Sequence, residues 1–281
     1  MKLGLISSAW LGSPFSTVEG IQETGSLGFD TIDIFADPME TDVVERKAIR
    51  EACRSAALPV ISTVCVALGL ADFNGTVRRF HIDRARQHLE LGYDLEARNL
   101  LLVLGEYMWQ REVIKPEDQW AWAVQSVCEL ARYAEALGQE IVLELEPFHL
   151  SLINDLTKMS KFLVDVGSPA VKANIDISHL ALVHAPASEI RKLKGRIGHV
   201  HLSDCDGTVH GDLPPGRGVV DFMPYLEELK ASAFAGSVSI ELEYSPEPDK
   251  IVDWVKEAYT ETDRMMRELG IRDMARGDNL R

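Results

Sequence analysis

The chain has 281 residues, with 29 Lys plus Arg against 44 Asp plus Glu and a formal net charge of −15. Hydrophobic residues make up 46%, which excludes a disordered chain, and the acidic balance argues against a nucleic-acid or anionic-membrane binder, because phosphates attract basic stripes. No apolar run reaches the roughly 18 residues a membrane span needs, no signal-peptide apolar stretch follows Met1, and Cys53, Cys65, Cys128 and Cys205 are scattered; together these predict a single-domain cytoplasmic protein with free thiols.

In chain order, the first predicted strand is Lys2–Ser7. It runs into Ser8-Ala9-Trp10 with no glycine fingerprint, which argues against a dinucleotide-binding open sheet. Ser16-Thr17-Val18-Glu19 is a capping box that opens a helix. Strands at Phe29–Phe35 and Pro59–Val66 follow, then a loop, Leu68–Gly75, carrying Phe73. A helix over Val77–Ala97 is rich in good helix formers and precedes the strand Asn99–Leu104. The loop Gly105–Pro116 carries Tyr107, Met108 and Trp109, and Pro116 stands at the tolerated first turn of a helix that runs through Glu117–Leu137 to a Gly138 stop. Four more strands are predicted at Glu140–Glu146, Val171–Ile177, Arg196–Ser203 and Val238–Tyr244, then a last helix near Asp249–Leu269 and a charged tail, residues 272–281. Strands recur roughly every 25–40 residues with helical stretches between them, the signature of repeated βαβ units. Eight such units in this length predict a single α/β domain, a closed (β/α)8 TIM barrel whose loops after the strands wall the catalytic face.

A parallel strand buried on both faces reads as continuous Val, Ile and Leu. The last four strands break that rule at their C-terminal ends, with Glu144 and Glu146, Asn174 and Asp176, His199 and His201, and Glu241 and Glu243. Each pair is two residues apart and shares one face, while the opposite face is apolar. The polar faces therefore point into the barrel, where carboxylates are costly unless compensated. Basic residues are absent from these positions, so a divalent cation is the expected partner; an oxygen-rich set with one imidazole suits Mn²⁺, with Mg²⁺ or Co²⁺ as alternatives, better than a closed zinc site. Six of the eight histidines lie between residues 149 and 210, in the same half of the chain.

These motifs resemble the sugar isomerase/epimerase superfamily built on the xylose isomerase-like TIM barrel. The strand-five Glu lands on Glu146, Asp-x-x-His on Asp176 and His179, His-x-His-x-x-acid on His199, His201 and Asp204, the PGxG turn on Pro215–Gly218 followed by Phe222, and the strand-eight Glu on Glu241, with Glu243 the second choice. The resemblance implies one divalent metal held by Glu146, Asp176, His201 and Glu241, with Glu146, Glu241 and His179 catalytic. It implies a small sugar or keto-polyol substrate and proton abstraction next to a carbonyl through a metal-stabilised enediolate. Trp10, Trp109, His149, His210 and Arg217 are the expected substrate contacts, and association of identical subunits is compatible with the barrel's helices. Two positions depart from the ketose 3-epimerase pattern: Gly207 stands where those enzymes carry Arg, and Leu152 where they carry a second Glu. The departures keep open a lyase on the same site (an inosose-type dehydratase, a C-glycoside β-elimination or a keto-sugar-acid decarboxylase); a non-catalytic polyol-binding barrel is a further alternative, which the absence of a bound divalent ion would favour. Arg78, Arg79, Lys115 and Arg217 are few for a phosphate site, so phosphorylated substrates are not expected.

Overall fold

The computed structural model describes residues 1–273. Eight parallel strands close into a barrel in sequence order: β1 Lys2–Ile6, β2 Thr31–Ile34, β3 Val60–Val66, β4 Asn99–Val103, β5 Glu140–Leu143, β6 Val171–Asp176, β7 Ile197–Leu202 and β8 Ser237–Ile240. Eight helices follow them: α1 Thr17–Ser26, α2 Val43–Ser55, α3 Gly75–Asp94, α4 Pro116–Leu137, α5 Leu156–Val166, α6 Ile177–Leu182, α7 Phe222–Ala231 and α8 Ile251–Glu268. The predicted caps act as expected. Ser16 accepts from Glu19 N–H while Glu19 reaches back to Ser16, and Gly138 closes α4 in the left-handed conformation at φ 70°. No helix among the described residues is long and apolar enough to cross a membrane.

Strands β5 and β8 are shorter than their sequence runs, ending at Leu143 and Ile240. One further backbone bond extends each: Glu144 N–H donates to the Leu102 carbonyl at 3.2 Å, and Glu241 N–H to the Leu202 carbonyl at 3.0 Å. Beyond them the chain leaves the barrel wall, with Glu146 N–H turning to the Ile153 carbonyl. The two-residue alternation therefore stops before it reaches Glu146 and Glu243.

The pairing of β6 with β7 shifts register between Ala173 and Asn174, where Gly198 is the extra residue. Past the shift, Asn174 pairs with His199 and Asp176 with His201, which brings the polar ends of both strands level. A Cβ on Gly198 would come within 2.5 Å of Val142 Cγ1 and 3.1 Å of Lys172 Cβ, so the irregularity needs glycine.

The start of the predicted tail is packed. Arg272 is buried, its Nε donates to Asp263 at 2.8 Å, and it also pairs with Asp30; the N-terminal amine donates to Asp273 at 2.8 Å and to the Ile271 carbonyl at 2.6 Å. Residues 274–281 of that tail lie outside the described residues. Gly198→Val is expected to destabilise the fold by about 1–3 kcal/mol, the usual range for overpacking. Chemical denaturation checks this, and an unchanged midpoint would remove the steric role of Gly198.

Candidate metal centre

The C-terminal ends of β5 to β8 converge on Glu144, Asp176, His201 and Glu241, whose ligand atoms all lie within 4.8 Å of one another. Glu144 is buried and accepts from Asn174 Nδ2 at 2.8 Å. Asp176 ends β6 and caps α6: its Oδ1 accepts from His179 N–H at 2.9 Å and Ser178 Oγ at 2.8 Å, while its buried Oδ2 has no hydrogen-bond partner. His201 Nδ1 lies 3.2 Å from Glu241 Oε2 and 3.7 Å from Glu144 Oε1, and its Nε2 lies 3.5 Å from Asp33 Oδ2. Neither ring nitrogen makes an aligned hydrogen bond.

Burial is the largest influence on all four groups. It pushes the Glu144 carboxyl up to about 8, offset in part by His201 and reinforced by Glu146 and Asp176, and it pushes Glu241 well above the usual carboxylate range. Burial opposes ionisation of Asp176 too, but the imidazoles of His179 and His210 outweigh it and hold Asp176 below its ordinary value. Burial also opposes a charge on His201, yet the carboxylates of Glu241, Asp33 and Glu144 outweigh it and raise that imidazole well above 6.5.

A divalent cation fits this arrangement. Three buried carboxylates surround one imidazole, and among the described residues no Lys or Arg forms an ion pair with any of them. With Asp33 facing Nε2, the Nδ1 lone pair of His201 points at two carboxylates, which is repulsive unless a proton or a metal sits between them. The orphaned Asp176 Oδ2 is a further ready ligand atom. Asp33 is the outer partner that orients the imidazoles, accepting from His199 Nε2 at 2.8 Å as well.

Sequence reasoning places the strand-five ligand at Glu146, whereas the structure brings Glu144 into the group. Glu146 stands beside it, half-buried, lining a cavity of about 550 Å³ under the loops that follow β3, β4 and β5. Burial and the neighbouring Asp176 push its carboxyl up to about 7.

His179 Nδ1 lies 2.6 Å from the Leu145 carbonyl, which can only accept, so Nδ1 carries the proton. Burial lowers its pKa to about 4 and keeps the ring neutral. Its Nε2 is then a lone pair, and His210 Nε2, at 2.7 Å, must be the donor. His210 Nε2 also lies 3.3 Å from Asp212 Oδ1, a buried acid the sequence motifs did not single out.

The expected substrate contacts lie in different surroundings. Trp10 is in the core: its indole N–H donates to Thr24 Oγ1 at 3.1 Å under α1, and its ring leaves no room for a Cβ on Gly20. Arg217 is committed to α8, in a two-pronged pair with Glu257 and stacked 4.4 Å over Trp254. His149 is exposed on the loop after β5. Trp109 is exposed beside the cavity loops, with its ring 5.3 Å from Phe73. Asp204 is a loop organiser: its carboxylate accepts from the N–H groups of Cys205, Gly216, Gly218 and Val220, and a Cβ on Gly218 would strike it, which accounts for the PGxG turn. All four cysteines are free.

With no metal bound, Glu144 and His201 hold protons in the folded state at pH values where the unfolded chain has released them. Stability of the metal-free protein is therefore expected to fall as pH rises from 6.5 through about 8, the value for Glu144, and a saturating divalent ion should remove most of that slope. Thermal unfolding with chelator and with Mn²⁺ across this window checks it; parallel curves would count against a cation at this group.

Comparison with known proteins agrees with the architecture. The family model described as "Xylose isomerase-like TIM barrel" matches residues 21–268. D-psicose 3-epimerase of Ruminiclostridium cellulolyticum is 27% identical over 234 residues, covering 79% of this chain and 76% of the relative. Fructoselysine 3-epimerase of Escherichia coli O157:H7 is 23% identical over 255 residues, covering 86% and 90%. The crystal structure of the IOLI protein with a bound zinc atom superposes with a TM-score of 0.83 at 18% identity, covering 95% of this chain and 99% of that one. The chain belongs to the xylose isomerase-like TIM barrel family.

Proposed function

We propose that the protein is a divalent-metal-dependent isomerase or epimerase of a sugar or keto-polyol, acting by proton abstraction next to a carbonyl. The observation that carries this reading is the buried group of Glu144, Asp176, His201 and Glu241 with its orphaned lone pairs, set beside a cavity that Glu146 also lines. Relatives named as epimerases of D-psicose and of fructoselysine support the same class.

In this reading Glu144, Asp176, His201 and Glu241 hold the ion, with Mn²⁺ favoured by the three oxygens and one nitrogen and Mg²⁺ or Co²⁺ as alternatives. The ion supplies Lewis-acid stabilisation of negative charge developing on the substrate oxygens. Glu146 is the base: it faces the cavity, and a carboxyl raised to about 7 is matched to proton transfer near neutral pH. Glu241, which with Glu144 faces Nδ1 of His201, returns the proton. Neutral His179 carries its proton on Nδ1 against the Leu145 carbonyl and takes the His210 N–H at Nε2, so it positions His210 and does not supply the returning proton.

Glu146→Gln is expected to lower turnover by about 10²–10⁴-fold while metal content stays near one per chain. Glu144→Gln and Asp176→Asn are expected to lose the metal itself. Elemental analysis separates the two outcomes, and a metal-replete Glu146→Gln of normal activity would remove Glu146 from the base role. Incubation of the Mn²⁺-loaded protein with ketoses and inososes in D2O should place deuterium on the carbon beside the carbonyl. Absence of exchange across the whole panel, with metal bound, would sink the reaction.

A further inference from the structure

Strand β5 ends at Leu143, so its ladder stops short of Glu146. The residues that follow double back on themselves. Glu146 N–H donates to the Ile153 carbonyl at 3.0 Å, and Asn154 Nδ2 donates to the carbonyls of Phe148 and His149, both at 3.2 Å. This folded-back segment is fastened to the loop after β4. Leu152 N–H donates to the Gly105 carbonyl at 3.1 Å, Tyr107 N–H donates to the Leu150 carbonyl at 2.7 Å, and Glu106 pairs antiparallel with Ser151. Tyr107 is buried at this joint.

Gly105 is also where the β4 loop meets the loop after β3. Its φ is 105°, a conformation that only glycine adopts readily. A Cβ there would lie 2.4 Å from the Leu68 carbonyl oxygen and 2.8 Å from Leu68 Cα. Both are backbone atoms, and their segment is tied down on two sides. Ala67 N–H donates to the Val103 carbonyl at 3.0 Å. The short helix Leu68–Ala71 is pinned to α4 by Ser126 Oγ, which donates to the Leu70 carbonyl at 2.9 Å, and Leu70 and Ala71 are buried. A side chain at position 105 would therefore displace that residue itself, and with it the carbonyl that holds Leu152.

Resting on the function proposed above, we infer that Gly105 is a positioning residue for Glu146: it clasps the loops after β3, β4 and β5 into one unit, so the base is held from the loop of the neighbouring strand. Glu144 stays on the barrel wall through its own bond to the Leu102 carbonyl. The metal centre and the base are thus held by separate means, and the clasp can open with the metal ligands in place.

The test compares Gly105→Ala with wild type in the Mn²⁺-loaded full chain. Gly138→Ala is the control, since it also replaces a glycine at positive φ but with nothing within 4 Å of the added Cβ. Amide hydrogen exchange read by mass spectrometry is expected to quicken roughly tenfold or more at Glu146 and Leu152 in Gly105→Ala, with Ile141, Glu144 and the Mn²⁺ content unchanged. Gly138→Ala should leave Glu146 and Leu152 as in wild type. Turnover of a responsive substrate from the panel above should fall roughly tenfold or more in kcat, with KM changed less than about threefold. Unchanged amide exchange at Glu146 and Leu152 in Gly105→Ala would overturn the clasp, and loosened amides with kcat intact would overturn its role in placing the base. Should Gly105→Ala fail to fold, Ser126→Ala reads the same linkage: unpinning the Leu68–Ala71 helix should quicken the Glu146 amide about threefold, and no change there would overturn the clasp. Because amides are read without turnover, a wild type that places no deuterium in any substrate refutes the reaction, and the amides alone then decide whether Gly105 holds Glu146.

Discussion

Mutual repulsion among three carboxylates sealed into one barrel end is the constraint on which the rest of the site depends. At about 4 Å and an effective dielectric near 20, each pair of like charges costs about 4 kcal/mol, so Glu144, Asp176 and Glu241 cannot all stay ionised on their own. The protein keeps them together by giving each a distinct neighbour. Asn174 donates to Glu144, the α6 N-terminus holds Asp176, and His201 faces Glu241. A dication at this group would replace the protons the metal-free group must otherwise carry. Asp33, behind His199 and His201, adds a fourth carboxylate that turns the imidazoles toward the centre instead of joining it.

Most of the fold was legible in the sequence because its signals are local and repeated. Alternating strand and helix runs, the Ser16 capping box and the Gly138 stop need no knowledge of distant partners. Asp176, His201 and Glu241 were legible for a related reason: a polar residue inside an otherwise apolar buried strand has to be explained. Choosing between Glu144 and Glu146 was another matter. Both share one face under strict alternation, and only the early end of β5 at Leu143 shows that Glu146 has already left the wall. Strand length in a barrel is set by the neighbours' stagger, which a single strand's sequence does not carry. Asp33 escaped notice because one acid in a short strand has no second polar residue to mark its face.

Aromatic and basic side chains near loop ends illustrate the opposite failure. Trp10 and Arg217 are residue types that recognise sugars elsewhere, yet here Trp10 fills the space under α1 and Arg217 ties its loop to α8. Their types alone did not distinguish packing from recognition, since burial and salt-bridge partners come from helices distant in sequence. Asp204 makes the same point from the other side: its four backbone bonds show a motif position that shapes the β7 loop and leaves the chemistry to others.

The two halves of the barrel carry different parts of the work. Strands β5 to β8 contribute the charged centre, where the Gly198 irregularity brings Asp176 and His201 level and leaves little freedom to substitute. The end of β3 and the loops after β3 and β4 contribute the cavity wall, apolar at Val66 and Leu68 and acidic at Asp72 and Glu106. Glu146 stands at the seam, close enough to Asp176 to have its ionisation raised and open enough to touch whatever fills the cavity. In the proposed function this division would let the cavity wall change without disturbing the carboxylates, because Val66 and Leu68 are not the residues that bear the electrostatic strain. In the proposed function the same charged centre would then serve different sugars on one scaffold, with the cavity wall selecting what reaches Glu146.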